Sequence, residues 1–172
     1  MSDELLARVA ALEAERDILR TMYSYGHAID RGDTQGWIDC FTEDGVFAAS
    51  SERPGYPPFH VEGRAALTDF HEQHTRPPGL WHKHLVIEPL IDVDGEQADV
   101  TSYFVVLVEH DGRPTVRVFG RYTDHLRRDP DGRWRFAERR SSIESVAPGL
   151  PPLAYGRERA ERALEDAERS QK

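Results

Sequence analysis

The chain has 172 residues, 22 basic and 31 acidic, for a formal net charge of −9, which argues against a nucleic-acid partner, since phosphate affinity comes from clustered Lys and Arg. Its lone cysteine, Cys40, excludes an internal disulfide, and the charged opening MSDELLARVAALEAERD lacks the apolar centre of a signal peptide. No run approaches the ~18 apolar residues of a membrane span, so a soluble, cytoplasmic protein with no membrane partner is expected.

Apolar residues recur at helical spacing from Leu5 through Leu6, Val9, Leu12, Ile18, Leu19 and Met22 to Ile29, which predicts one long helix over residues 3–31, or two with a joint. The run RGD then stops it, with Gly32 past the last turn. DTQGWIDCFTEDGVF reads as a short helix through Trp37, Ile38 and Phe41, ending at Asp44-Gly45 and passing into a strand at Val46-Phe47. SSERPGYPPFH is loop by its Pro, Gly and Ser content. EGRAALTDFHEQH is helical and is ended by RPPG.

From Trp81 onward the apolar period becomes two. WHKHLVIEPLIDV, QADVTSYFVVLVEHD, PTVRVFGRYTDHLRRD and GRWRFAERRSSIESV read as four strands parted by Asp94-Gly95, Asp111-Gly112 and Asp131-Gly132 turns. Turns this short make an antiparallel meander, and helices followed by such a sheet make an α+β fold with the helices on one face. One domain over residues 1–150 is expected, followed by a charged helical tail over 151–172 whose stripe is only Ala160, Ala163, Leu164 and Ala167.

Ionisable groups interrupt this pattern in a few places. On a helical wheel Leu19, Met22, Tyr23, Gly26 and Asp30 share one arc, which puts an acid on the face that should meet the sheet. There the helix dipole and the loss of water both disfavour a bare negative charge, so Asp30 is either a general base with a partner or a turn residue pointing to solvent. His82 and His84 alternate on one strand and therefore share a face. A carboxylate beside an imidazole in one cavity orients it and keeps it basic.

His82-x-His84 with Glu88 also has the spacing of a cupin metal motif, to which His125 would add a fourth ligand from a later strand. Against a metal stand Pro89 directly after the glutamate, the missing glycine before His82 and the lack of any asparagine in the chain; no metal and no cofactor are expected. Arg139 and Arg140 face opposite ways on the last strand, so one can meet an anionic group while the other pairs at the surface with Glu138 or Glu144. Tyr103, Phe104, Phe119, Tyr122, Trp134 and Phe136 are core or pocket lining, and Cys40 is inert packing. Neither GxGxxG, a P-loop nor GxSxG occurs.

Taken together, ILRTMYSYGHAIDRGDTQGWIDCFTEDGVF, EGRAAL, HKHLV, TSYFVVL and GRYTDHLRRDPDGRWRFAERR resemble the SnoaL-like group of the nuclear-transport-factor-2-like superfamily, of the scytalone dehydratase and bile-acid dehydratase type, over about residues 5–147. The resemblance implies a cone of helices closed over a strongly curved antiparallel or mixed sheet, with a pocket inside. It carries the family's catalytic Asp to Asp30, its His to His84, a hydroxyl-bearing Tyr to Tyr25 and an Arg to Arg139. The wheel instead puts Tyr23 beside Asp30; unwinding at Gly26 would reconcile the two in favour of Tyr25. Gly120 and Arg121 stand where scytalone dehydratase has a second histidine, so the same water-holding arrangement is not implied.

The function expected is a cofactor-independent dehydratase, cyclase or isomerase acting on a small hydrophobic, cyclic or polyketide-like substrate. Asp30, His84, Tyr25 and Arg139 would be catalytic, and Tyr23, His82, Tyr103 and Phe119 would touch substrate. A ligand-binding module of the same fold, or a metal-dependent cupin, are the alternatives. The resemblance also implies a homodimer or homotrimer.

Overall fold

The computed structural model describes residues 2–51 and 58–150. Helix α1 (Asp3–Arg31) is followed by α2 (Thr34–Ile38), β1 (Phe41–Ser51), β2 (Phe59–Glu62), α3 (Gly63–Glu72), β3 (His82–Asp94), β4 (Gln97–His110), β5 (Arg113–Arg128) and β6 (Trp134–Val146). The expected tail over residues 151–172 and most of the expected loop at 50–60 lie outside the described residues.

Helix α1 begins where Ser2 accepts the Leu5 N–H, with Asp3 and Glu4 in its positive first turn, and ends at Gly32, whose φ of 70° only glycine adopts freely. It runs unbroken through Gly26, so the unwinding considered from sequence does not occur. Burial begins only at Ile18 and continues through Met22, Tyr25, Gly26, Ile29 and Asp30, whereas Leu5, Leu6, Val9 and Leu12 are exposed on a projecting end. The buried arc is thus centred nearer Tyr25 than the wheel suggested, and Tyr23 falls just beyond its rim, 50% exposed.

The strands form one mixed sheet in the order β2-β1-β6-β5-β4-β3. Neighbours are antiparallel except β1 and β6, which run parallel. The four-strand meander matches the expectation nearly residue for residue, because Asp-Gly turns at Asp94, Asp111 and Asp131 break it where the period-two runs end. The front of the sheet differs. β1 starts at Phe41, not Val46, because the Cys40 carbonyl accepts the Phe136 N–H at 2.8 Å and Phe41 pairs with Phe136. Tertiary pairing there overrides the helical spacing of Trp37, Ile38 and Phe41. β2 was not foreseen; it is four residues long and, among the described residues, pairs only with β1.

The sheet curls around the helices without closing. Two apolar clusters fill the inside. One joins α1, α2 and α3 to β1, with Trp37 at its centre against Tyr25, Phe41, Phe70 and His71. The other consists of Phe104, Val106, Val108, Val118 and Tyr122, and Val86 packs against both. Buried polar groups also occupy inward-facing positions of the meander: His82, Ser102, Asp124 and Arg139. Burying them costs free energy unless they are paired. No helix among the described residues is long and apolar enough to cross a membrane.

Candidate active site

The site is built where the last turn of α1 crosses β3. Gly26 faces the strand so closely that a Cβ there would stand 2.9 Å from the His84 carbonyl oxygen. One turn later the Asp30 carboxylate meets His84 twice: Oδ1 accepts from Nδ1 at 2.8 Å and from the backbone N–H at 3.0 Å. β3 is an edge strand, and this N–H is satisfied by the helix instead of a further strand. Asp30 and the His84 side chain are almost wholly buried. With Nδ1–H donated to the carboxylate, the lone pair of the His84 imidazole is on Nε2.

His82 shares the inward face of β3, as the alternation required, and is fully buried. Its Nδ1 donates to the Leu80 carbonyl at 3.3 Å, while Nε2 lies 3.8 Å from Asp30 Oδ1. Burial, and next the neighbouring His84, push this imidazole below its ordinary range, toward the neutral form. The sequence reading passed over His74, which follows α3: its ring lies 5.2 Å from that of His82 and 5.5 Å from that of His84. Its Nδ1 donates to the Thr75 carbonyl at 2.8 Å, and burial holds it well below the usual histidine range. His71, also passed over, sits beside Trp37 with Nδ1 3.0 Å from Thr34 Oγ1, pushed down to about 4 by burial. Their spacing at the end of α3, three residues apart where the stripe turns inward, was the available signal.

Arg139 is inside and Arg140 outside, the latter paired with Glu138. Arg139 is 0% exposed and donates to Asp124 Oδ2 at 3.1 Å. Its guanidinium carbon lies 3.8 Å from the Tyr122 ring centre, 4.2 Å from that of Tyr25 and 4.3 Å from that of Phe136. Burial opposes the Arg139 charge, but Asp124 and then the tyrosines outweigh it and raise its pKa further; burial raises Asp124 to about 6. Tyr25 is 1% exposed and shares a hydrogen bond with Tyr122, whose hydroxyl burial pushes up to about 12. Asp124 was legible as an acid on the inward parity of Tyr122 and Leu126 but was not singled out.

The remaining expected contacts fall elsewhere. Tyr103 is 47% and Phe119 44% exposed on the outer face of the sheet. Both have the opposite parity to buried Phe104, Val118 and Tyr122, so with exposed Tyr23 they do not join the interior group. Nor is the cupin set assembled: Glu88 is exposed at a bulge with φ 51°, and His125 pairs outside with Asp99 at 2.9 Å. Cys40 is buried and its thiol is pushed up to about 12 by burial. A cavity of about 470 Å³ does open against α1, but on its other side, among Arg20, His27, Arg31, Asp39 and Arg133, away from Asp30.

The SnoaL-like domain profile matches residues 10–140. The chain belongs to the SnoaL-like family. Among solved structures, this SnoaL-like chain is similar to Rv3472 of Mycobacterium tuberculosis, a protein of unknown function, at 28% identity and TM-score 0.68, covering 92% of this chain and 96% of that one. A protein from Catenulispora acidiphila, solved in complex with S-DNPA, is 30% identical with TM-score 0.61 over 78% of this chain and 94% of that one. ActVI-ORFA of Streptomyces coelicolor shares the fold at 24% identity and TM-score 0.67, over 78% of this chain and 99% of that one. Comparison with curated proteins returned no match.

Proposed function

We propose that this SnoaL-like chain is an acid–base enzyme working without a cofactor on a small hydrophobic, cyclic or polyketide-like substrate, with dehydration favoured over cyclisation or isomerisation. The observation that carries the reading is the buried contact of 2.8 Å between Asp30 Oδ1 and His84 Nδ1. His84 Nε2 takes a proton from a carbon beside a carbonyl, and Asp30 stabilises the imidazolium that forms. The electron pair moves through the enolate to expel a β-hydroxyl, which leaves as water with the proton returned from His84. The hydroxyls of Tyr25 and Tyr122, hydrogen-bonded to each other, would supply the donor that an enolate oxygen needs. Arg139 acts through the rings it stacks on and is a positioning residue, since its guanidinium is enclosed by them. The Catenulispora acidiphila structure in complex with S-DNPA is a case of a similar chain holding a ligand, in keeping with this reading.

We further infer a homo-oligomer formed through the outer sheet face. Register aligns Leu85, Val105 and Phe119 in one row and Ile87 with Tyr103 in the next, where Arg121 lies over the Tyr103 ring, and such a contiguous apolar patch marks a contact surface. This gives exposed Tyr103 and Phe119 a role other than substrate contact.

The test is solvent deuterium incorporation and water loss, followed by mass spectrometry, on a panel of cyclic β-hydroxyketones. Asp30→Asn is expected to lower the rate by about three to four orders of magnitude, and His84→Ala to abolish it, both with native circular dichroism. Wild-type protein that binds such compounds tightly yet never exchanges or dehydrates them would establish the binding-module reading instead.

A further inference from the structure

Asp30, His82 and His84 also have the composition of a metal centre. One ligand atom from each lies within 4.8 Å of the others. Ligands around a tetrahedral zinc ion, bound at about 2.0–2.2 Å, stand about 3.4 Å apart. Asp30 Oδ1 is 2.8 Å from His84 Nδ1 and 3.8 Å from His82 Nε2, which straddles that spacing. Shifts of well under an ångström would bring these two distances to it, and the His82 and His84 nitrogens, within 4.8 Å of each other, would close by at most about 1.4 Å.

His82 supplies the second observation. Its Nε2 is buried without a hydrogen-bond partner among the described residues, although the Asp30 carboxylate and the Ile29 carbonyl, both acceptors, face it. Its other nitrogen donates to the Leu80 carbonyl. Metal-binding histidines are commonly held this way, one nitrogen fixed by a backbone oxygen and the other's lone pair left for the ion. The nearest cation, Lys83 Nζ, is 3.9 Å from Asp30 Oδ2 on a side chain 58% exposed, so it can swing into solvent when an ion enters.

We propose that Asp30, His82 and His84 bind one divalent cation of the zinc class, and that the bound ion silences the base. The ion takes the Nδ1 lone pair of His84, and the proton that Nδ1 carried moves to Nε2. The imidazole stays neutral, but the nitrogen that would accept a substrate proton is then occupied. Cation binding stands independently of the catalytic reading; the silencing rests on it.

The test uses the full chain, stripped with EDTA and titrated with zinc chloride by calorimetry, and with cobalt(II) by visible absorption. One ion per chain and intense four-coordinate cobalt bands are expected. His82→Ala, with His82→Gln as a second variant checked for folding, should weaken binding at least about tenfold. The absence of saturable binding overturns the proposal. So does binding that these variants and Asp30→Asn leave unchanged, since the ion would then sit on surface pairs such as His60 with Glu62 or His125 with Asp99. If stripped protein turns substrate over and zinc fails to bind, the proposal falls alone; if turnover requires added zinc, both the silencing and the cofactor-free mechanism fall.

Discussion

A side chain on Gly26 would put its Cβ 2.9 Å from the carbonyl oxygen of His84, which is backbone and cannot turn aside. The missing side chain brings α1 close enough to β3 for Asp30, one turn further on, to reach the imidazole. Gly26→Ala is therefore expected to cost about 1–3 kcal/mol as an overpacked contact and to pull Asp30 away from His84. Urea denaturation measures the first effect. Loss of the hydrogen-bonded Nδ1 proton signal of His84 in NMR measures the second, and an unchanged signal would show that the helix approach does not set the pair.

Arg139 and Asp124 form a fully buried ion pair, with Arg139 Nε and Nη1 and Asp124 Oδ1 lacking partners among the described residues. Removing one partner strands the other charge, so Arg139→Met should destabilise the fold by about 3–5 kcal/mol. Replacing both, with Asp124→Leu added, should recover most of that loss, because neither charge then needs solvation. Denaturation midpoints of the single and double variants check this; a double variant no better than the single would contradict it.

Burial favours neutral His71, His74 and His82. For His71 the native value falls from 6.5 to about 4, so between these pH values the unfolded chain binds more protons than the folded one. Stability should consequently be intact above pH about 6.5 and fall as the pH drops toward 4, by about 3 kcal/mol for this group alone. Urea unfolding across that range should show the slope, and His71→Gln should flatten it.

If the outer sheet face joins subunits, charges placed in its apolar rows should part them. Leu85→Lys together with Phe119→Lys is expected to yield monomers with an unchanged circular dichroism spectrum. Sedimentation velocity at matched concentrations decides; a wild-type chain that sediments as a monomer removes the interface.

Much of this architecture is legible in the amino-acid sequence. Period-two alternation from His82 to Val146 and three Asp-Gly turns set out the meander, and the same alternation put His82 with His84 and parted Arg139 from Arg140. The Tyr23 placement failed because a helical wheel locates an apolar arc but not its centre, and Tyr23 lies just past the rim while Tyr25 lies within it. Tyr103 and Phe119 were read as possible lining because parity says which residues share a face without saying which face is inside. His74 and Asp124 were missed for a related reason: each is an ordinary polar residue until a partner from a distant element closes on it.

Helical and strand periods, caps and turn types arise from steric and hydrogen-bonding preferences within a few residues, and so the order of elements and the α+β class could be read directly from the chain. The parallel pairing of β1 with β6, the close approach of α1 to β3, and the burial of Arg139 among three aromatic rings required the whole sheet to curl around its helices. Asp30 and His84 are 54 positions apart, and no local preference encodes their meeting. Their contact follows from long-range packing, which settles which of the groups offered by the sequence lose water and face one another.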